Sequence, residues 1–514
     1  MNGAESLVHS LVAGGVETCF SNPGTSEIHI VSALDKIQRI RCILGLFEGV
    51  VTGAADGYAR MTGRPACTLL HLGPGLANGL ANLHNAYRAR VPIINIVGQH
   101  ATYHIRQDAP LTSDIEGIAR QYSRWLKTAT TSFDLGRDSA EAILRARTAP
   151  GMIATLIVPA DVAWGEGGKI SEISPVPTPP IAPNETIERA AVMLRSGLPT
   201  AIMLAGPALY GPGLHAAGRI AAATRSRLFS PYPFTRMKRG AGVPTVERTH
   251  YVLEQAVEQL KQFRQFILVG ASSPVAYFAY PGKNSVLTPA DSAIFTLTNA
   301  NEDCVGTLQA LAAVLSADQT PIQAEKEFRP PVPSGGITLP GLATAVGAVL
   351  PENAIVVDES MTSGRGLMTA TRGIPAHEWL GNTGGSIGIA LPLAVGAATA
   401  CPDRRVLCLT ADGSAMYTAQ ALWTMARESL NVTTVVFANR DYAVLKREFS
   451  GLGIGEPGPT AKGMFEIGRP DLDWVSLAKG MGVHGVRVAS LDRFVDALYD
   501  GFESEGPTLI EVPL

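Results

Sequence analysis

VLCLTADGSAMYTAQALWTMARESLNVTTVVFANRDY, residues 406–442, reads as strand, tight turn, helix and strand. The two outer runs are continuously apolar and β-branched, as strands are when a parallel sheet is covered on both faces. A right-handed crossover through the intervening helix sets such strands side by side. Asp412 closes the first run and Asn439 closes the second, 27 residues later, so the two side chains end at one edge of one sheet. A carboxylate, an amide oxygen and a backbone carbonyl gathered there suit Mg²⁺, which takes oxygen ligands and completes its shell with phosphate oxygens. Gly413 lets the backbone approach a ligand, and Ser414 opens a helix whose free N–H groups favour phosphate. Taken alone, the same residues also describe an ordinary turn in which Asp412 caps a helix.

The same texture extends through the chain. PIINIVG (92–98), TAIMLAG (200–206), QFILVGA (265–271), NAIVVDES (353–360) and RRVLCLTADG (404–413) alternate with alanine-rich helical stretches. This predicts α/β architecture built on doubly wound parallel sheets, with ligands at the carboxyl ends of the strands. At 514 residues the chain is too long for one core. Two proline-rich stretches, SPVPTPPIAP (174–183) and RPPVPSGG (329–336), cannot continue a helix or a central strand and read as linkers. The expected domains are therefore 1–173, 184–328 and 337–514.

A net charge of −3 and the absence of any Lys/Arg run leave no electrostatic footprint for nucleic acid or an anionic membrane. A small-molecule partner is expected instead. Six scattered cysteines without a C-x-x-C pair suggest reduced thiols rather than disulfides or zinc. The N-terminal MNGAESLVHSL lacks the basic and apolar regions of a signal peptide, and the longest apolar run, 384–400, is broken by Gly388, Pro392 and Gly396. A cytoplasmic location is the expectation.

A second constellation lies in LFEGVVTGAADGYARMTGRPA (46–66), where Glu48 opens an alanine- and glycine-rich helix. An acid in a first turn complements the helix dipole and needs no further role. Leu46, Val50, Val51 and small neighbours should nevertheless strip water from it.

Together these motifs resemble the thiamine-diphosphate-dependent superfamily of 2-oxo acid decarboxylases and acetolactate synthases. The 406–442 run is similar to that superfamily's G-D-G…N-N motif, with Ala411 replacing the first glycine and Arg440 the second asparagine. Glu48-x7-Asp56-Gly57-Tyr58-Ala59-Arg60 is similar to its first-domain signature. The resemblance implies pyrimidine-binding, central and diphosphate-binding domains in that order. It also implies thiamine diphosphate and Mg²⁺ as cofactors, with Asp412, Asn439 and the carbonyl of Asp441 as metal ligands.

Glu48 would then protonate the cofactor's pyrimidine. In GNTGGSIGIALP (381–392), Ile387 would prop the two cofactor rings and the Gly385 carbonyl would receive the amino group. Thr362, Gly413, Ser414 and Tyr442 would be further cofactor contacts. Because the superfamily takes the acid and the metal motif from different subunits, a homodimer or homotetramer is implied.

Three pieces look closer to benzoylformate decarboxylase than to acetolactate synthase. They are NPGTSE (22–27), where Thr25 would meet the substrate; His71 before the Gly73-Pro74-Gly75 turn, a candidate for proton transfer; and Leu111-Thr112 in QDAPLTSDI (107–115). The decarboxylase's second histidine has no counterpart in PVAYFAYPG (274–282), which offers Phe278. GPGLHAAG (211–218) lacks dinucleotide-fingerprint spacing, so FAD is not expected. A decarboxylase, an acetolactate-synthase-like carboligase and a catalytically weak cofactor-binding paralogue are the three readings that remain.

Overall fold

The computed structural model describes residues 1–514. Its apolar runs form three sheets. The first contains β1 (Thr18–Asn22), β2 (Arg41–Leu44), β3 (Ala66–Leu70), β4 (Ile93–Gln99), β5 (Trp125–Thr128) and β6 (Ile153–Pro159), in the order β2-β1-β3-β4-β6-β5. Five of the next six strands form the second: β7 (Thr200–Leu204), β8 (Arg227–Ser230), β10 (Glu247–Arg248), β11 (Gln265–Val269) and β12 (Ala293–Thr298), in the order β10-β8-β7-β11-β12. All pairings in both sheets are parallel.

The third sheet, β17-β18-β16-β15-β13-β14-β9, holds β13 (Ile355–Glu359), β14 (His377–Gly381), β15 (Val406–Ala411), β16 (Val432–Ala438), β17 (His484–Arg487) and β18 (Thr508–Pro513). Its extra edge, β9 (Arg236–Arg239), comes from the middle stretch and pairs antiparallel with β14. The middle and last segments therefore share a sheet across the second proline-rich stretch. Neither proline-rich stretch contains a helix or strand.

The first and last segments meet through two helices of small residues, Glu48–Thr62 and Ala390–Ala400. A Cβ on Gly57 would stand 2.2 Å from the Leu393 carbonyl, and one on Gly396 would stand 1.9 Å from that of Ala54, so only glycine permits this approach. Arg60 locks the contact. Its guanidinium donates to both Asp56 carboxylate oxygens at 2.7 and 2.6 Å, to the Gly381 carbonyl at 2.6 Å and to Thr383 Oγ1 at 3.1 Å. The Asp56–Arg60 half of the signature is thus a staple between segments, buried on both sides. All six cysteines are free; Cys42 is exposed on the edge strand β2, Cys401 is half-buried and the other four are buried. No helix is long and apolar enough to cross a membrane.

Candidate active site

β15 and β16 pair in parallel with Ala411 opposite Phe437, which brings Asp412 and Asn439 to neighbouring strand ends. Asp412 is buried. Its Oδ1 accepts the Gly413 N–H at 2.9 Å and its Oδ2 accepts the Arg440 N–H at 2.7 Å, so one carboxylate ties the two ends together. Burial pushes this carboxyl above its ordinary range, with the two backbone donors only partly opposing. Arg440 adopts a left-handed conformation, φ 59°, which turns residues 439–441 around the carboxylate. Asn439 Oδ1 accepts the Asp441 N–H at 3.1 Å, while Asp441 pairs with Lys446 through one oxygen and leaves the other buried without a partner.

A Cβ on Gly413 would stand 2.6 Å from the Tyr442 ring, so this glycine and Tyr442 form one close-packed wall. The single helix expected from Ser414 onward is instead three short pieces, Asp412–Ala415, Met416–Thr418 and Ala421–Arg427. The buried Thr418 hydroxyl donates outward to the Gly388 carbonyl at 2.7 Å, which ties the break to the 381–389 turn. Ser414 is buried within the first piece.

These residues fit a Mg²⁺–diphosphate group. Asp412 is desolvated and held by N–H groups, and no cluster of three His, Cys, Asp or Glu side chains is available to complete a protein-only metal centre. An ion that arrives with phosphate oxygens suits such a partial ligand set.

Gly385 and Ile387 lie in the turn between β14 and the Ala390–Ala400 helix. The first segment holds this turn from one side. His84 Nε2 lies 2.9 Å from the Gly384 carbonyl, and Asn85 Nδ2 donates to the Ser386 carbonyl at 2.9 Å while Asn85 Oδ1 accepts the Ser386 N–H at 3.2 Å. From the middle stretch, the Tyr277 hydroxyl presses on the same turn, where a Cβ on Gly385 would fall 2.0 Å from it. The side chain of that stretch nearest Gly385 is therefore Tyr277, not Phe278, whose half-exposed ring packs edge-on against Tyr277. Thr362 lies half-buried in the turn after β13, beside the left-handed Met361.

Glu48 begins the Glu48–Thr62 helix and is 7% exposed. Its Oε2 accepts from Asn78 Nδ2 at 2.9 Å, while its Oε1 makes no hydrogen bond and faces Gly75. Asn82 donates to the Gly49 carbonyl at 2.7 Å. Asn78, Asn82 and Asn85 were missed from sequence, although their i, i+4, i+7 spacing is a polar stripe along the Leu72–Ala89 helix. No hydrogen bond joins Glu48 to Asp412, Asn439 or the 381–389 turn of its own chain.

At the carboxyl ends of β1, β3 and β4 a second polar cluster forms. Glu27, fully buried, accepts the Gly24 N–H at 2.8 Å and contacts His71 Nδ1 at 2.7 Å through the same oxygen, leaving Oε1 without a partner. Burial pushes its carboxyl up, opposed by the Gly24 N–H and by His71. Gly24 is glycine because the His71 ring lies 2.3 Å from where its Cβ would be. His100 Nε2, Thr112 Oγ1 and Ser113 Oγ are also buried and unpaired. Thr25 is exposed, and its hydroxyl caps nothing, since Gly24 holds the cap position of the short turn.

A sheet-edge carboxylate and amide clamp, a propped glycine turn and a buried lone acid define an enzyme that binds a diphosphate-bearing coenzyme with Mg²⁺. The chain belongs to the thiamine pyrophosphate enzyme family. Residues 1–118 match the N-terminal thiamine-pyrophosphate-binding domain and residues 364–512 the C-terminal one. It is 50% identical, over 100% of its own length and 99% of the relative's, to the IlvX protein of Mycobacterium tuberculosis, named provisionally as an acetolactate synthase large subunit. It is 28% identical to benzoylformate decarboxylase of Pseudomonas aeruginosa, over 97% and 96% of the two chains. Among solved structures, the Rhodococcus jostii RHA1 thiamine diphosphate-dependent 4-hydroxybenzoylformate decarboxylase matches with a TM-score of 0.88 and 26% identity, over 100% and 99% of the chains.

Proposed function

We propose that this enzyme decarboxylates a 2-oxo acid, and that its site forms between two copies of the chain. Glu48, Thr25 and His71 of one copy would face Gly385, Ile387, Asp412, Asn439 and the Asp441 carbonyl of the other, with Thr362, Gly413, Ser414 and Tyr442 lining the coenzyme's berth. The observation that carries this reading is that the buried Glu48 makes no hydrogen bond to Asp412, Asn439 or the 381–389 turn of its own chain. When bound, thiamine diphosphate supplies a nucleophilic carbon and an electron sink for the bond to the departing carboxylate.

The protein's own groups do the rest. Glu48 has one oxygen engaged by Asn78 and the other free to exchange a proton with the pyrimidine ring. Ile387 and the Gly385 carbonyl orient the coenzyme. Glu27 holds the His71 imidazole by Nδ1, leaving Nε2 to exchange a proton with substrate. The exposed Thr25 hydroxyl supplies a donor to the substrate's carboxylate.

Transfer to a carbonyl acceptor is the second reading. It is favoured by a specific feature: the 274–282 run presents Tyr277 and Phe278 and contains no histidine, so that run supplies no imidazole as a proton donor. The test is to incubate purified protein with thiamine diphosphate, Mg²⁺ and pyruvate, benzoylformate or 4-hydroxybenzoylformate, following CO₂ and organic products. CO₂ with an aldehyde supports decarboxylation, and CO₂ with a 2-hydroxyketone or acetohydroxy acid supports ligation. Bound coenzyme without CO₂ from any acid would leave only a catalytically weak cofactor-binding protein.

A further inference from the structure

We propose that Glu359 and Asn382 are positioning residues that set the Gly385–Ile387 turn before the coenzyme arrives, an inference that rests on the role proposed above for that turn. Glu359 is the last residue of β13, which lies between β14 and β15, and its side chain enters the base of the turn. Its Oε1 accepts from Asn382 Nδ2 at 3.0 Å, the Gly388 N–H at 3.1 Å and the Ile389 N–H at 3.4 Å. Its Oε2 accepts from the Gly388 and Ala390 N–H groups, both at 3.1 Å. Asn382 extends the network into the turn, where its Oδ1 accepts the Gly385 N–H at 2.7 Å and its Nδ2 also donates to the Ser386 carbonyl at 2.9 Å.

The consequence is selective. The carbonyls of Gly384, Ser386 and Gly388 all take donors, from His84, from Asn85 and Asn382, and from Thr418. That of Gly385 takes none. Gly385 and Gly388, with φ of 81° and 94°, supply the left-handed bends that this path requires. With the Gly384, Ser386 and Gly388 carbonyls engaged and the Gly385 N–H held by Asn382, the Gly385 carbonyl is presented as a free acceptor in a set direction, so binding does not have to order it. A fully buried carboxyl needs such a reason, because burial pushes Glu359 up to about 7 despite four donors.

The test measures thiamine diphosphate affinity by calorimetric titration at saturating Mg²⁺ for the wild type, Glu359→Gln, Asn382→Ala and the double variant, beside the thermal midpoint of each cofactor-free protein. Each single variant should weaken affinity roughly 10–100-fold. The double variant should weaken it no further than the worse single one, because both break one network. Asn382 is only half-buried, and its truncation leaves Glu359's backbone bonds intact, so that arm decides the matter if Glu359→Gln does not fold. Unchanged affinity, or losses that simply add and follow the thermal midpoints, overturns the proposal. A wild type that takes up no coenzyme would sink the reading of the turn itself, and this inference with it.

Discussion

The two half-sites of this chain are finished to different degrees. Around Asp412, Asn439 and the 381–389 turn, most polar groups are paired, often twice: Asp412 by two N–H donors, Glu359 by four groups, Ser386 through both its N–H and its carbonyl. Around Glu48 and His71, buried valences are left open, at Glu27 Oε1, His100 Nε2, Thr112 Oγ1 and Ser113 Oγ. Buried polar atoms without partners cost stability. Their position beyond the carboxyl ends of β1 and β4 fits the place proposed for the reacting groups. In the proposed reading the last segment anchors the coenzyme and the first exchanges protons. Anchoring gains from rigidity, whereas proton exchange needs acceptors not already engaged.

Substitutions on the two sides should therefore fail differently. The largest effect is expected on the anchoring side. Asp412→Ala removes the one carboxylate of the proposed clamp and the tie between two strand ends, so calorimetry should detect no saturable Mg²⁺-dependent uptake of thiamine diphosphate. Chelation of Mg²⁺ from the wild type should reproduce this loss, and coenzyme-induced thermal stabilisation should vanish in both cases. Persistent tight uptake by Asp412→Ala would remove that residue from the clamp. On the exchanging side, Glu48→Gln should keep coenzyme affinity but slow exchange of the coenzyme's C2 proton by roughly 10²–10⁴, read by quenched-flow NMR in deuterated water. Wild-type exchange would show that Glu48 is only a first-turn acid.

The contact between the segments gives a stability prediction of intermediate size. Arg60→Ala leaves the Asp56 carboxylate buried and unpaired and removes two backbone contacts at 2.6 and 3.2 Å, to Gly381 and Thr235. Denaturant unfolding should show a loss of about 3–5 kcal/mol. Arg60→Met with Asp56→Leu should recover much of it, because apolar residues of similar volume often replace a buried ion pair without loss. A loss of similar size in the double variant would mean that the contacts to Gly381 and Thr235, rather than the ion pair, hold the joint.

How much of this could be read in advance follows from how local each feature is. Asp412 and Asn439 were legible because parallel topology alone brings the ends of successive strands together. Glu48 stood out as the single acid opening a small-residue helix. The Glu27–His71 contact was not legible, since it joins residues 44 apart whose chain segments each form an ordinary turn. β9, with the sequence RMKR, has no apolar alternation. It qualifies as a strand only because β14 offers an open edge and Arg236 finds Glu378 on it at 2.9 Å. The break after Asp412 was hidden for a related reason: GSAMYTAQ has acceptable helix propensity, and a distant carbonyl, that of Gly388, redirects Thr418. Glu359 was visible as the end of an apolar strand, but a strand-ending acid is usually solvated, and only the turn folded over it reveals otherwise.

The smallest expected effect separates the two regions by pH. Glu359 faces backbone amides and Asn382, with Asp358 on its own strand and the buried Cys408 thiol on β15 as its ionisable neighbours. Burial raises its folded-state value from 4.5 to about 7. An acid raised on folding binds its proton more tightly in the native than in the unfolded state. Its contribution is therefore fully present below about 4.5 and is lost as pH rises towards 7, a span worth roughly 3 kcal/mol at most. The thermal midpoint of cofactor-free wild type, measured against that of Glu359→Gln, should fall across this window and level off above it. A difference that is flat with pH would mean that the amide donors hold Glu359 ionised throughout. The base of the anchoring turn would then be electrostatically satisfied as well as hydrogen-bonded, and the contrast with the open valences around Glu27 would be sharper still.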